Sequence, residues 1–287
     1  AGIITGLIGG ASFGLITPVF PFAYEAGISP TTVTLIRFIF GSIVMLGFLF
    51  IARGSLRIPK GKAVPLMAMG FLVFTVTVCY ITAVIYIPVS LAAILFYTYP
   101  IMVTILSPLI EKRLPNIYQI GLTLIAFIGI TIAMGPSLEY LDWRGLSFVA
   151  LAALSITGTL IISREVVSHV PNLTIVFYVN IFALVLVTIY ALFQKGISNT
   201  GLLIELPSID FWTSIGFWIA LLIAALYLIA TLGQIATVNY LGPSRTAMLF
   251  NVEPVVTILA AVVILNENLS LQEMIGSLCV ITAVILS

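Results

Sequence analysis

The sequence predicts an all-α membrane protein of ten transmembrane helices, arranged as two inverted-topology five-helix repeats. Three observations carry that prediction: too few charges for a water-facing surface, apolar segments that recur at spanning length, and a motif shared by the two halves. Of 287 residues, 61% are hydrophobic and only 7% charged, and mean hydropathy is +1.27. Soluble domains carry about 25% charged residues, so most of this surface must face lipid. From Ala63 to Ile110 there is no Asp, Glu, Lys, Arg or His. At about 20 apolar residues per span, that stretch holds two.

Helix is the secondary structure that lipid allows here, because an open strand would leave backbone groups unpaired and the segments lack the polar–apolar alternation of barrel strands. The predicted spans run 3–24, 31–52, 63–86, 89–110, 116–135, 145–163, 172–193, 211–240, 243–265 and 272–287. The segment Ile3 to Phe22 resembles a signal peptide in position, but its apolar run is long and its start is not basic; it reads as the first span. Charges and turn residues divide the rest. The second and third spans are separated by a loop with Arg53, Arg57, Lys60 and Lys62, and the fourth and fifth by Glu111-Lys112-Arg113. His169-Val170-Pro171 separates the sixth from the seventh, and Asn266-Glu267-Asn268 the ninth from the tenth. Cys79 and Cys279 fall in apolar helices far apart in sequence and read as small core residues rather than a disulfide or metal pair.

Basic residues set the expected orientation. With the N-terminus inside, the inner loops hold eight of them (Arg53, Arg57, Lys60, Lys62, Lys112, Arg113, Arg164 and Arg245), the outer loops hold Arg144 and Lys195, and Arg37 lies within the second span. Both termini are therefore expected in the cytoplasm, with the chain in the plasma (inner) membrane of a prokaryote. Net charge is +1, which implies no nucleic-acid or acidic partner.

Residues 86–100 and 240–254 align at an offset of 154, with Tyr86, Ser90, Ala93, Leu95, Phe96 and Pro100 matching Tyr240, Ser244, Ala247, Leu249, Phe250 and Pro254. One residue later in register, Leu114 and Gly121 match Leu269 and Gly276. Each half has five spans, an odd number, so the second enters the membrane from the opposite side. Charges agree: Glu111-Lys112-Arg113 corresponds to Asn266-Glu267-Asn268, and the four-cation loop 53–62 to the outer loop 194–210 with one. The expected units are 1–136 and 143–287, together one transport unit, as in carriers that expose a midplane site to either face.

The residues that carry a family resemblance can now be quoted. The second half reads Phe250-Asn251-Val252-Glu253-Pro254, then Asn266-Glu267-Asn268-Leu269 and Gln272 to Gly276. The first half has Tyr99-Pro100, Glu111 to Leu114, and Gln119-Ile120-Gly121, with Leu35-Ile36-Arg37-Phe38 early in the second span. Over essentially the whole chain this resembles tandem EamA-type domains of the drug/metabolite transporter superfamily. The resemblance implies ten helices around a central cavity, lined mainly by the first, third, fourth, sixth, eighth and ninth spans, and the movement of small metabolites. The chain departs from the family pattern in its first span, where Gly9-Gly10-Ala11-Ser12-Phe13 replaces the usual Trp-Gly pair.

Glu253 is the leading candidate for transport chemistry. It lies near the middle of the ninth span, where an ionised carboxylate is costly and normally faces a cavity or a partner; it reads as a coupling or substrate-binding group, or as a cap for backbone loosened by Pro254. Pro100 and Pro254 occupy matching positions, each removing an amide hydrogen bond and freeing the carbonyl of Phe96 or Phe250. They read as hinges. The offset pairs Tyr80 with Gln234, Tyr97 with Asn251 and Tyr99 with Glu253, all candidate substrate contacts or interhelical hydrogen bonds. Ser12, Ser155 and Thr157 are weaker members of the set. Gly9, Gly10, Gly14, Ala152, Ala153 and Gly158 read as close-packing residues. Arg37 is expected to snorkel to headgroups or pair with Glu25, His169 to sit exposed in a loop, and Tyr140, Trp143, Trp212 and Trp218 to anchor the interface.

The expected function is a secondary transporter of an amino acid, amine or related metabolite, working outward by alternating access, with protons as the coupling ion. The expected partners are a small-molecule substrate and the lipid bilayer, in a monomer or weak dimer. No cofactor or metal is expected. A membrane-embedded enzyme would need clustered Asp, Glu or His at a membrane face, which one His and dispersed carboxylates do not offer. A passive channel or lipid scramblase is the alternative.

Overall fold

The computed structural model describes residues 1–135, 141–197, 214–265 and 269–286. Tyr140, residues 198–213 (most of the predicted outer loop and the start of the predicted eighth span, with Trp212) and Asn266-Glu267-Asn268 lie outside the described residues. The helices are α1 (Gly2–Glu25), α2 (Pro30–Ile51), α3 (Ala63–Tyr86), α4 (Val89–Phe96), α5 (Tyr99–Ile110), α6 (Ile117–Met134), α7 (Trp143–Val167), α8 (Asn172–Ile197), α9 (Ile215–Leu241), α10 (Pro243–Phe250), α11 (Val252–Ile264) and α12 (Leu271–Ile285). No strand occurs among the described residues. Among the described residues, nine segments are long and apolar enough to cross a membrane, with Val89–Ile110 and Pro243–Ile264 each counted as one; Leu271–Ile285 is a shorter apolar helix.

These ten segments match the predicted spans, with one instructive difference. The fourth and ninth are not continuous: each breaks into two helices, at Tyr97-Thr98 and at Asn251. Capping explains several of the outer boundaries. Ser29 accepts from the amide of Thr32 and Pro30 fixes the first turn of α2, while Asn116 and Asp142 accept from Tyr118 and Arg144 to open α6 and α7. Ser270 and Glu273 form a reciprocal capping box on α12, a device that satisfies two orphan amides at once. Gly242 joins α9 to α10 as a single-residue hinge at φ 82°, a backbone conformation in which a side chain would be strained.

The packing is reciprocal between the halves. Helix α1 lies against α9 as α7 lies against α3, α2 contacts α9 as α8 contacts α3, and α2 meets α8 while α6 meets α12. Exchanging the two five-span units reproduces each of these contacts, the pattern of an inverted repeat. Close approach is made by small residues. A side chain on Gly129 would strike the Gly276 carbonyl, and one on Gly276 would strike that of Gly129, so α6 and α12 touch backbone to backbone. Between α1 and α9, Gly9 faces Gly233, and Thr5 and Thr237 share a hydroxyl hydrogen bond at 3.0 Å.

Outward faces carry large apolar side chains, such as Phe50, Ile51, Val64 and Val263, as a lipid-facing surface requires. Trp143 and Trp218 are exposed in the first turns of α7 and α9. At the basic end of the bundle, Lys62 pairs with Glu165 at 2.6 Å. There too, Thr174 and Tyr178 donate to the carbonyls of Ser55 and Leu56, tying the four-cation loop of one half to the α7–α8 corner of the other. His169 is exposed, with Nδ1 placed 2.7 Å from the Ser168 hydroxyl.

Candidate functional site

The two helix breaks build the site. Pro100 and Pro254 sit in the first turns of α5 and α11, where a missing amide costs least. The chain unwinds just before each proline: the Thr98 amide bonds the Leu95 carbonyl at 3.2 Å and the Asn251 amide bonds that of Met248 at 3.1 Å. Both are tightened, three-residue turns rather than α-helical ones. The matched prolines therefore mark ends of half-helices and not kinks within continuous ones.

Glu253 lies in the first turn of α11 and is half-buried. Tyr97, from the α4–α5 break, lies with Tyr80 and Tyr99 within electrostatic range of the Glu253 carboxylate. The rings pack on one another through Phe96: Tyr80 to Phe96 at 5.3 Å between centroids, Phe96 to Tyr99 at 5.4 Å and Phe96 to Tyr97 at 6.1 Å. These are spacings at which aromatic edges and faces attract. Asn251 is 2% exposed and its side-chain carbonyl oxygen is buried with no hydrogen-bond partner. A buried acceptor left open is costly, and this one stands at the break itself.

The structure thus gathers Tyr80, Tyr97 and Tyr99 around Glu253, with Asn251 beside it. Gln234 is buried on α9 and Ser155 on α7, but no hydrogen bond among the described residues joins either to that group. Ser12 donates to the Ile8 carbonyl of its own helix at 2.8 Å, and Thr157 donates likewise to Ala153, so both hydroxyls are already engaged. Phe96, at the centre of the aromatic cluster, was legible only as a repeat position matched to Phe250. In the first span, Phe13 packs edge-on against both Phe250 and Tyr227.

One expectation is corrected. Arg37 neither snorkels nor pairs with Glu25: its guanidinium turns inward over the Tyr227 ring at 3.9 Å and donates to Thr77 at 3.2 Å, because an aromatic face inside the bundle supplies the compensation that headgroups would. A void of about 450 Å³ opens between α1, the α9–α11 corner and α12, lined by Leu7, Leu249, Val252 and Ile281 with Arg245. Leu249 and Val252 flank the Asn251 break, while the space around Glu253 holds the tyrosine and Phe96 rings.

A family model described as the EamA-like transporter family matches residues 1–135 and again 143–287. The chain belongs to the EamA-like transporter family. A solved crystal structure of a protein is similar in fold, with a TM-score of 0.75 at 18% identity over 98% of this chain and 95% of that one. A comparison with curated proteins finds no match. Family membership and the apolar helices make the chain an integral membrane protein of a transporter family.

Proposed function

We propose that this EamA-family chain is a secondary transporter that exports a small amine-bearing metabolite by alternating access, with Glu253 as the coupling or substrate-binding group. The observation that carries the reading is the meeting of two half-helix ends, one from each repeat, at a carboxylate surrounded by three tyrosines. Matched broken helices in inverted repeats are where carriers of this architecture hold cargo, and an acid inside a membrane protein is a functional group by default. Phenol faces would hold an organic cation by cation–π attraction, with the carboxylate supplying the counter-charge. Units 1–136 and 143–287 act in this reading as one transport unit, in a plasma membrane with both termini cytoplasmic, and protons are the coupling ion.

Proteoliposome counterflow tests the carrier claim. Labelled substrate should accumulate against excess unlabelled substrate on the far side, because a carrier exchanges; simple equilibration would mean a channel. In the same vesicles Glu253→Gln should abolish the pH dependence of transport while the protein remains folded. Unchanged pH dependence would remove Glu253 from the mechanism.

A further inference from the structure

The void beside the Asn251 break is apolar along its walls and charged at one end. It measures about 450 Å³, within the range of about 300–1,000 Å³ that seats a drug-sized molecule. Ile3 and Leu7 line it from α1, Arg245 and Leu249 from α10, and Ile281 and Ile285 from α12. Each pair is spaced by four residues, so its two side chains stand one above the other on a helix face. Arg245 heads its stack. It is exposed, and the side-chain ion pairs among the described residues do not include it. It also lies in the first turn of α10, which has no side-chain cap, so the positive end of the helix dipole adds to the guanidinium charge. This is the basic end of the bundle: Asn239, near the end of α9, bonds Asn172 at 3.5 Å, where α8 meets the four-cation loop.

The inverted repeat makes the void a departure from the fold and not a consequence of it. At the offset of 154, Arg245 corresponds to Leu91, which is 5% exposed and packed with Ala83, Ile87 and Val149. In the first half α4 packs against α6, whereas the void lies between the equivalent α10 and α12. A leucine that closes one half is replaced in the other by a cation at an open seam. Empty apolar space forfeits dispersion contacts and does not hold water. The rim residues Ile3 and Ile285 are 59% and 75% exposed, so in a bilayer the material alongside the seam is hydrocarbon.

We propose that this seam binds an anionic phospholipid of the surrounding bilayer, with one acyl chain in the void and the headgroup phosphate on Arg245. The chain matches the apolar walls, and the phosphate forms a charge-assisted pair with the guanidinium. A zwitterionic headgroup would bring its own ammonium toward Arg245, so headgroups with net negative charge are preferred. The seated chain ends against Leu249 and Val252, on either side of the Asn251 break. The site stands apart from the tyrosines around Glu253 and does not depend on the role given to that residue.

The test is native mass spectrometry of the full-length chain in detergent, titrated with phosphatidylglycerol and with phosphatidylcholine of identical acyl chains. Phosphatidylglycerol should bind the wild type roughly 5-fold more tightly, the worth of one cation near a membrane surface. Arg245→Gln should erase that preference. Lys60→Gln, in the four-cation loop, should leave it intact. Ile281→Trp should weaken both lipids by filling the void, and glycerol phosphate, a headgroup without chains, should displace neither. Equal affinities in the wild type, or a preference that survives Arg245→Gln, overturns the proposal. Loss of the preference in Lys60→Gln would mean diffuse attraction to the basic face, and displacement by glycerol phosphate would mean a site for soluble anions; either result overturns it too. So does undiminished binding of both lipids by Ile281→Trp. Should Arg245→Gln fail to fold, the wild-type ratio and Ile281→Trp decide.

Discussion

Gly14→Ala puts one methyl group where the Glu253 segment is held. A β-carbon at position 14 would lie 2.5 Å from the Glu253 carbonyl oxygen and 2.8 Å from the Val256 β-carbon. Carbon–oxygen contact distances start near ~3.3 Å, so α1 and α11 must separate by roughly 1 Å there. The oxygen cannot swing aside, since it belongs to the first turn of α11. The Thr257 hydroxyl, which donates to the Gly14 carbonyl at 3.0 Å, resists the separation from the other side. Overpacking of this kind costs about 1–3 kcal/mol. Gly47→Ala on α2 is the control, because nothing lies within 4 Å of its added carbon. Thermal unfolding in one detergent should show a clear drop for Gly14→Ala and none for Gly47→Ala, and substrate affinity should fall in the first alone. Equal melting temperatures with unimpaired binding would refute the claim that α1 positions the Glu253 turn.

Further outcomes follow from individual contacts. Tyr97→Phe removes a hydroxyl within electrostatic range of Glu253 and should weaken substrate binding by roughly 10-fold, the worth of a hydrogen bond from that hydroxyl to charged cargo; titration of the variant checks this. Asn251→Ala removes an acceptor that has no protein partner, so it should lower affinity with little loss of stability, a combination that a packing role would not produce. Gly276→Leu should drive α6 from α12, whose backbones touch at Gly129 and Gly276, and should abolish folded, monodisperse protein in size-exclusion chromatography. Hydrogen bonding to Arg144 holds the Asp142 carboxyl below the usual carboxylate range. A group lowered in this way stabilises the fold above its unfolded value, about 3.9, and loses that as pH falls through the folded one. Asp142→Asn should therefore flatten the acid limb of the stability curve.

The spans were legible because charges and turns punctuate an otherwise apolar chain, and the repeat because Tyr, Ser and Pro recur at one offset. The breaks were not. Pro100 and Pro254 announced missing amides, but whether a helix kinks or ends depends on what receives the freed carbonyls, and that is tertiary. Nor does an offset say which equivalent residues meet: Tyr80 reaches the Glu253 group while its counterpart Gln234 makes no hydrogen bond to it. Ser12 and Thr157 looked available until their own helices claimed the hydroxyls. Arg37 was misread because its partner is a ring, Tyr227, on a helix distant in sequence. Phe96 was hidden among many phenylalanines, since centrality within a cluster leaves no mark on composition.

Access to position 253 from the two sides of the membrane tests the central claim most directly. In a chain with Cys79 and Cys279 replaced by alanine, Glu253→Cys would be exposed in oriented vesicles to a membrane-impermeant maleimide, first from one face and then from the other. The account predicts labelling from each face. Labelling from one face alone, or from neither, would contradict a site shared between two inverted halves.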